Sequence, residues 1–348
     1  MFWRSNRPPK SSTTQDRASK RPRRTPARPR VPLVKVVMAI PPALANLRLP
    51  ALAAPMFLTS GPDLVVECCR AGVLGSFPAL NSRSTAAFGD WLDEIEGRLP
   101  PSAAPYAVNL IVHKSNARLE ADLAVCVAHQ VPVVITSLGA VNEVVRAVQA
   151  YGGVVFHDVI SRRHGEKAAE AGVDGVIGVA AGAGGHAGTM SPFALMAELR
   201  EVFGGCLILA GAINTGAQVL AARAMGADLV SIGSRFIATR EATVSAEQKA
   251  MMLGSRAADV VYTAAISGVP ANFLKPSLVA HGLDLGHLPD TGRMDLGHEA
   301  RAWKDVWSAG QGVGGIGDVP GAFDLCERLI ADYAEAKALI RTDPFGGV

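Results

Sequence analysis

The 348-residue chain is 49% hydrophobic and 19% charged and holds 36 glycines. That excludes wholesale disorder and leaves enough apolar material for one large domain or two modest ones. The net charge of +3 joins two unlike parts: residues 1–30 carry ten basic side chains and the single acid Asp16, leaving 24 basic and 30 acidic residues in 31–348. An acidic body behind a basic tail is not a nucleic-acid-binding domain, and no run of roughly 18 apolar residues offers a membrane span. The five cysteines are odd in number and show no CxxC spacing, so no disulfide framework is expected. The N-terminus lacks the apolar segment of a secretory signal. A cytoplasmic setting is expected.

Residues 1–37, with prolines scattered among Arg, Ser and Thr, are expected to form a disordered extension, or a stretch upstream of the true start at Met38. From residue 51 short apolar runs alternate with helical stretches. The pairs are Ala51–Leu58 with Asp63–Ala71, Gly72–Phe77 with Ser84–Leu99, Tyr106–Val112 with Ala117–Gln130, and Pro132–Ser137 with Val141–Ala150. They continue as Gly153–Asp158 with Ser161–Ala171, Asp174–Val179 with Ser191–Phe203, Cys206–Ala210 with Thr215–Gly226, and then Asp228–Gly233. The runs are rich in Val and Ile and show no polar alternation, as strands buried on both faces should. Eight such units predict a (β/α)8 barrel over residues 38–240. A doubly wound sheet would place a glycine-rich fingerprint after its first strand, where this chain has Ala53-Ala54-Pro55-Met56-Phe57. Residues 241–310 lose the rhythm and are expected to form a lid over the C-terminal face. Residues 311–348 are expected to supply a closing C-terminal helix.

In a barrel, function sits in the loops after the strands. The sixth loop, Ala180 to Gly188, is all Gly and Ala except for His186, so the backbone at Gly184 and Gly185 can approach a ligand and one imidazole stands among small neighbours. The seventh and eighth strands end in Gly211-Ala212 and Gly233-Ser234. Paired small residues there suit a phosphate held by backbone N–H groups, helped by the N-terminus of a following short helix. Together these loops imply a phosphorylated cofactor across the barrel mouth. His281, His287 and His298 have no ligand spacing, and no metal is expected.

Ala54-Pro55-Met56, Val108-Asn109-Leu110, Ala183 to Gly188, Leu209 to Ala212 and Ile232 to Thr239 together resemble the nitronate monooxygenases, formerly 2-nitropropane dioxygenases. The resemblance runs from about Met38 to Gly317 and implies a TIM barrel carrying non-covalent FMN. It places FMN contacts at Pro55, Met56 and Asn109, the phosphate at Gly211, Ala212, Gly233 and Ser234, and the catalytic histidine at His186. The implied reaction is oxidation of an alkyl nitronate or nitroalkane by O2 to a carbonyl compound and nitrite, and a homodimer is compatible with it. The Gly-Gly-His motif is shared with FMN-dependent enoyl reductases and quinone reductases, so reduction of an enoyl thioester or quinone by NAD(P)H is the alternative. Two positions depart from the pattern. His157 is followed by Asp158, where some family members have Lys, and the second glycine of the seventh loop is Ala212. Trypsin is expected to trim residues 1–37 while the body persists with its chromophore. Loss of the folded body on trimming would move the domain start upstream.

Overall fold

Parallel strands buried on both faces dominate the fold. The computed structural model describes residues 39–139, 142–266, 268–287 and 306–342, all of them within the unit Val37–Val348. The expected extension 1–37 and His298 lie outside the described residues.

The barrel strands and their helices come in chain order. They are β1 (Ala51–Ala53), α1 (Pro62–Arg70), β2 (Gly75–Pro78), α2 (Thr85–Arg98), β3 (Tyr106–Ile111), α3 (Leu119–Ala128), β4 (Val133–Ser137), α4 (Asn142–Gln149), β5 (Val154–Val159), α5 (Arg162–Ala171) and β6 (Gly175–Val179). A two-residue strand β7 (Gly185–His186) and α6 (Pro192–Val202) precede β8 (Cys206–Ala210), α7 (Gly216–Ala224) and β9 (Leu229–Ile232). The eight long strands pair in the order β1-β9-β8-β6-β5-β4-β3-β2. The ring closes where Ala53 N–H donates to Leu74 O (2.9 Å) and Leu74 N–H to Ala51 O (3.3 Å). The first strand is shorter than the expected 51–58. Pro55 has no N–H to give, and the chain turns so that Thr59 and Ser60 N–H both reach Met56 O, at 3.2 and 3.0 Å. That turn sets Pro55 and Met56 in the loop above the barrel.

Alternation along each strand sorts side chains into two cores. Leu52, Leu74, Ala107, Val133, Ile135, Val154, Phe156, Ile177, Cys206, Ile208 and Leu229 fill the interior, with Leu44 below them. The alternate positions, such as Val134, Val155, Val176 and Val230, pack against the surrounding helices. All five cysteines are free and buried, and burial pushes the Cys69 thiol up to about 12, so these thiols act as small hydrophobes.

After β9 the chain forms α8 (Ser234–Ile237), α9 (Ala246–Gly254), β10 (Val260–Thr263), β11 (Ala271–Leu274), α10 (Lys275–Ala280) and, last, α11 (Ala322–Arg341). β10, β11 and β7 form a small antiparallel sheet. α11 buries Ala322, Leu325, Cys326 and Leu329 in the outer core. Its contact with α7 depends on Gly216, where a Cβ would lie 2.1 Å from Tyr333 N and 2.4 Å from Leu329 O. Since backbone atoms cannot yield locally, Gly216→Ala is expected to cost about 2 kcal/mol or more, within the range of overpacking. Urea unfolding of the two proteins checks this, and a difference below about 0.5 kcal/mol would show that α11 can slide.

Candidate active site

At the C-terminal ends of the strands, the inward-facing positions change character. One step beyond the bulky interior layer come Ala54, Asn109, Ser137, Asp158, Val179, Ala210 and Ser231, all of them small or polar except Val179. They floor a cavity of ≈ 1340 Å³. All ten residues singled out in the sequence line this one cavity: Pro55, Met56, Asn109, Gly184, Gly185, His186, Gly211, Ala212, Gly233 and Ser234.

Three of the floor residues are wired together. Asn109 Nδ2 donates to Ile135 O (3.1 Å) and to Ser137 Oγ (2.8 Å). Both amide hydrogens are therefore committed, and Asn109 Oδ1, an acceptor, is the atom it has for a ligand. Ser137 Oγ in turn donates to Asp158 Oδ2 at 2.5 Å. Burial pushes the Asp158 carboxyl up to about 6, opposed by the Ser137 hydrogen bond and by the charge of His186. Next to it His157 sits on the outer side of β5, with Nδ1 2.8 Å from Thr136 Oγ1. Burial holds His157 down to about 4.

His186 stands on more than a flexible glycine loop. It belongs to β7 and pairs with Ala271 of β11, while Gly185 pairs with Asn272. Asn272 Nδ2 donates to Ala183 O (2.6 Å) and Tyr262 OH to Ala187 O (3.0 Å), fixing the chain on both sides of the histidine. A strap formed by residues 307–312 completes the clamp. Ser308 Oγ accepts from Gly185 N (2.7 Å) and donates to Asn272 O (2.6 Å), and Gly310 N donates to Ser234 Oγ (2.7 Å). Gly184 is needed for this strap, because a Cβ there would lie 2.9 Å from Gly310 N. So Gly184 and Gly185 shape the wall through packing and through Ser308. The Gly185 N–H is already given away.

The loops after β8 and β9 are different. Among the described residues the N–H groups of Gly211, Ala212, Gly233 and Ser234 have no hydrogen-bond partner. The start of α7, by contrast, is satisfied by the chain itself: Thr215 Oγ1 accepts from Gln218 N, and Asp332 Oδ2 from Gly216 N (2.5 Å). Gly211 and Ala212 both have positive φ, +144° and +53°. Ala212 therefore holds a left-handed conformation that glycine would adopt without strain. A Cβ on Gly233 would meet only Ala54 Cβ and Met56 Sδ, at 3.7 and 3.8 Å, so what it would take up is cavity space. Unpaired donors beside a glycine opening fit a bound phosphate group held by backbone alone. The cations on the cavity wall, Arg118 and Lys167, come instead from the loop before α3 and from α5.

Lys275, Gln311 and Arg235 lie outside the cavity wall. Lys275 is exposed at the start of α10, and Gln311 packs over Gly182, to whose carbonyl its N–H donates (2.9 Å). Arg235 is buried in an ion pair with Asp318 at 2.5 Å. Asn214 lines the cavity and donates to Gly312 O. Asp93, Glu96 and His129 gather on the outer surface, none of them on the cavity wall. The sequence reading did not assign Ser137, Tyr262, Asn272 or Ser308 to the site. Only Ser137 carried a signal, as the polar end of the run Val133-Val134-Ile135-Thr136-Ser137.

A closed parallel barrel with a deep cavity at the strand C-termini, unpaired backbone N–H groups after its last two strands and a clamped histidine defines a (β/α)8 enzyme. The chain belongs to the nitronate monooxygenase family, whose sequence profile matches residues 77–284, and that family is one of flavin-dependent oxidoreductases. It is similar to a nitronate monooxygenase from Paraburkholderia phytofirmans, at 27% identity over 277 residues covering 68% of this chain and 76% of that one. It is also similar to a (3aS,4S,5R,7aS)-5-hydroxy-7a-methyl-1-oxo-octahydro-1H-indene-4-carboxyl-CoA dehydrogenase from Rhodococcus jostii, at 27% identity over 236 residues. That match covers 68% of this chain and 65% of the dehydrogenase, just under two thirds of its length. Among solved structures it resembles a nitroalkane oxidase from Streptomyces ansochromogenes, with a TM-score of 0.73 at 25% identity, covering 86% of this chain and 99% of that one.

The raised carboxyl of Asp158 has a consequence for stability. Folding favours its neutral form, so its contribution is present below pH 3.8 and lost as pH rises through about 6. Asp158→Asn, which cannot ionise, is expected to raise Tm at pH 8, at about 2–4 °C per kcal/mol recovered, and to leave it unchanged near pH 4. Calorimetry at the two pH values checks this. A lowered Tm at pH 8 would mean that the ionised carboxylate stabilises the fold.

Proposed function

We propose that this protein is an FMN-dependent oxidoreductase that oxidises alkyl nitronates, and the parent nitroalkanes, with O2 to carbonyl compounds and nitrite. The observation that carries the reading is His186, clamped by β11 at a cavity whose wall also carries four unpaired backbone donors. In this reading residues 38–240 are the cofactor-binding barrel, 241–310 the lid and 311–348 the closing segment, and the protein works in the cytoplasm. Among the described residues no helix is long and apolar enough to cross a membrane.

Gly211, Ala212, Gly233 and Ser234 would hold the FMN phosphate through N–H groups. Pro55 and Met56 would wall the ring system, and Asn109 Oδ1 would accept from a ring N–H. The flavin, when bound, supplies the electron transfer between substrate and O2. The chain supplies the rest. His186 donates a hydrogen bond to the nitronate oxygens, or takes the α-proton when the substrate is a neutral nitroalkane. Val269, Pro270, Trp307, Ile237 and Val244 on the outer wall keep water from the reacting carbon.

A second reading, reduction of an enoyl thioester or quinone by NAD(P)H, has its own support. The cavity of ≈ 1340 Å³ extends to a polar outer part with Ser115, Asn116, Arg118, His164 and Lys167, which suits a large anionic ligand, and one relative is named a carboxyl-CoA dehydrogenase.

One preparation tests both readings. The released chromophore is expected to be FMN, and under argon it should bleach with propionate 3-nitronate and not with NADH. Bleaching by NADH alone would transfer the assignment to the second reading, and release of FAD would remove the phosphate assignment. In His186→Ala the FMN should remain bound. kcat/KM should fall roughly 10²–10⁴-fold on neutral nitroalkane, and less on preformed nitronate. Equal small losses on both substrates would make His186 a bystander.

A further inference from the structure

Among the described residues five buried polar side chains line the cavity: Thr59, Asn109, Ser137, Ser231 and Gln248. Three are committed within the chain. Thr59 Oγ1 donates to Phe57 O, Asn109 is bonded to Ile135 and Ser137, and Ser137 to Asp158. The side chains of Ser231 and Gln248 have no hydrogen-bond partner among the described residues. A polar group taken from water and left unpaired costs free energy, so it is retained where a ligand completes it. Ser231 stands on β9 two residues before Gly233, below the backbone donors assigned to the cofactor, and belongs with that site. Gln248 is on no barrel strand and has no task in the proposed reaction.

The fold fixes where that amide stands. Gln248 is 9% exposed and lies in the first turn of α9, its N–H donating to Ser245 Oγ (3.2 Å). Just before the helix, Thr243 is tied to the turn after β1, with N–H to Thr59 O (3.0 Å) and Oγ1 to Leu58 O (2.9 Å). One turn further on, Met252 packs with Ile237, Ala309 and Val313. Residues four apart share a helix face, so Gln248 lies on the buried face of α9. The lid also gives Val244, Val269, Pro270 and Trp307 to the cavity wall and, among the described residues, no charged side chain. The cations Arg118, His164 and Lys167 come from the loop before α3 and from α5, which follow β3 and β5. In the ring of eight strands β5 stands four places from β1, on its opposite side. The unpaired amide is therefore set in an uncharged, largely apolar wall.

We propose that Gln248 is a specificity-determining residue of this cavity: its amide N–H groups donate to an uncharged oxygen acceptor carried on the chain of the nitro substrate. The proposal rests on the nitroalkane-oxidising function proposed for this site and narrows its substrate class to keto- or hydroxy-substituted nitroalkanes. A primary amide offers two donors and an acceptor without net charge. It pairs with a carbonyl or hydroxyl, whereas a carboxylate on the same chain would enter an apolar wall with no cation to meet it. A plain alkyl chain would bury against the wall and leave the amide unpaired, so the site disfavours it by what it fails to satisfy.

The test compares oxidation of 1-nitropentane, 5-nitropentan-2-one and 4-nitrobutanoate by the FMN-loaded protein. Wild-type kcat/KM is expected to favour the ketone over the plain alkane by about tenfold or more, and over the carboxylate as well. In Gln248→Leu the ketone-to-alkane ratio should fall toward one, chiefly through KM for the ketone. Gln248→Glu keeps the size and removes the donors, and should lose the preference too. A second readout needs no substrate. Gln248→Leu removes a buried amide that the chain leaves unpaired, so the Tm of the substrate-free protein is expected to stay equal or rise, with FMN content unchanged. A lowered Tm with equal losses on ketone and alkane would make Gln248 structural and overturn the proposal. Loss of FMN would place the amide on the cofactor, and a wild-type preference for the carboxylate would give the selection to the cations; either overturns it. Equal wild-type rates on ketone and alkane overturn the proposal alone. Oxidation of none of the three removes the nitroalkane-oxidising function and the proposal with it.

Discussion

A closed parallel barrel leaves each strand two faces, and everything at this site depends on which residues occupy the inner one. Along most of the strands the inner face carries a bulky apolar side chain, and the next inward position carries something small or polar. The lower layer excludes water and holds the ring of strands together. The upper layer gives up packing, which opens a cavity and seats Asn109, Ser137 and Asp158 in a setting dry enough for hydrogen bonds to be strong. Stability and chemistry therefore share the same strands and differ by one inward step of two residues.

The second constraint is the strap of residues 307–312. It ties β7 to β11 through Ser308 and reaches α8 through Ser234 Oγ and Gly182 through Gln311 N–H. It holds the backbone on either side of His186 and so fixes where the residue sits. An acid–base group held on a paired strand loses little orientational freedom on binding a substrate, which is the advantage a mobile loop would lack. The strain at Ala212 belongs to the same economy: a left-handed alanine keeps its N–H turned away from the chain's own acceptors.

Neighbouring residues on β5 show how strongly position decides character. His157 and Asp158 are adjacent in sequence, yet one is bonded to Thr136 and held neutral by burial, and the other is bonded to Ser137 with its carboxyl pushed the opposite way. Burial is the cause in both cases. Its sign differs because the charged form is a cation in one and an anion in the other.

The sequence alone determined the eight strand–helix units, because short Val- and Ile-rich runs set between helical stretches are local properties of the chain. It also picked out the small residues Gly211, Ala212, Gly233 and Ser234 and the solitary His186, since glycine-rich ends of barrel strands are legible in one dimension. It did not show that strand one would stop at Ala53, that Gly184 would pack closely against the strap, or that His186 would lie in a strand. Those outcomes depend on Ala271, Ser308 and Gly310, which come 85 to 124 residues after His186 in the chain. Only the tertiary structure brings Asn109, Ser137, Asp158 and His186 to one rim. The physical reason is closure: the barrel converts equal height on separate strands into neighbourhood, and no local pattern records which strands will be adjacent.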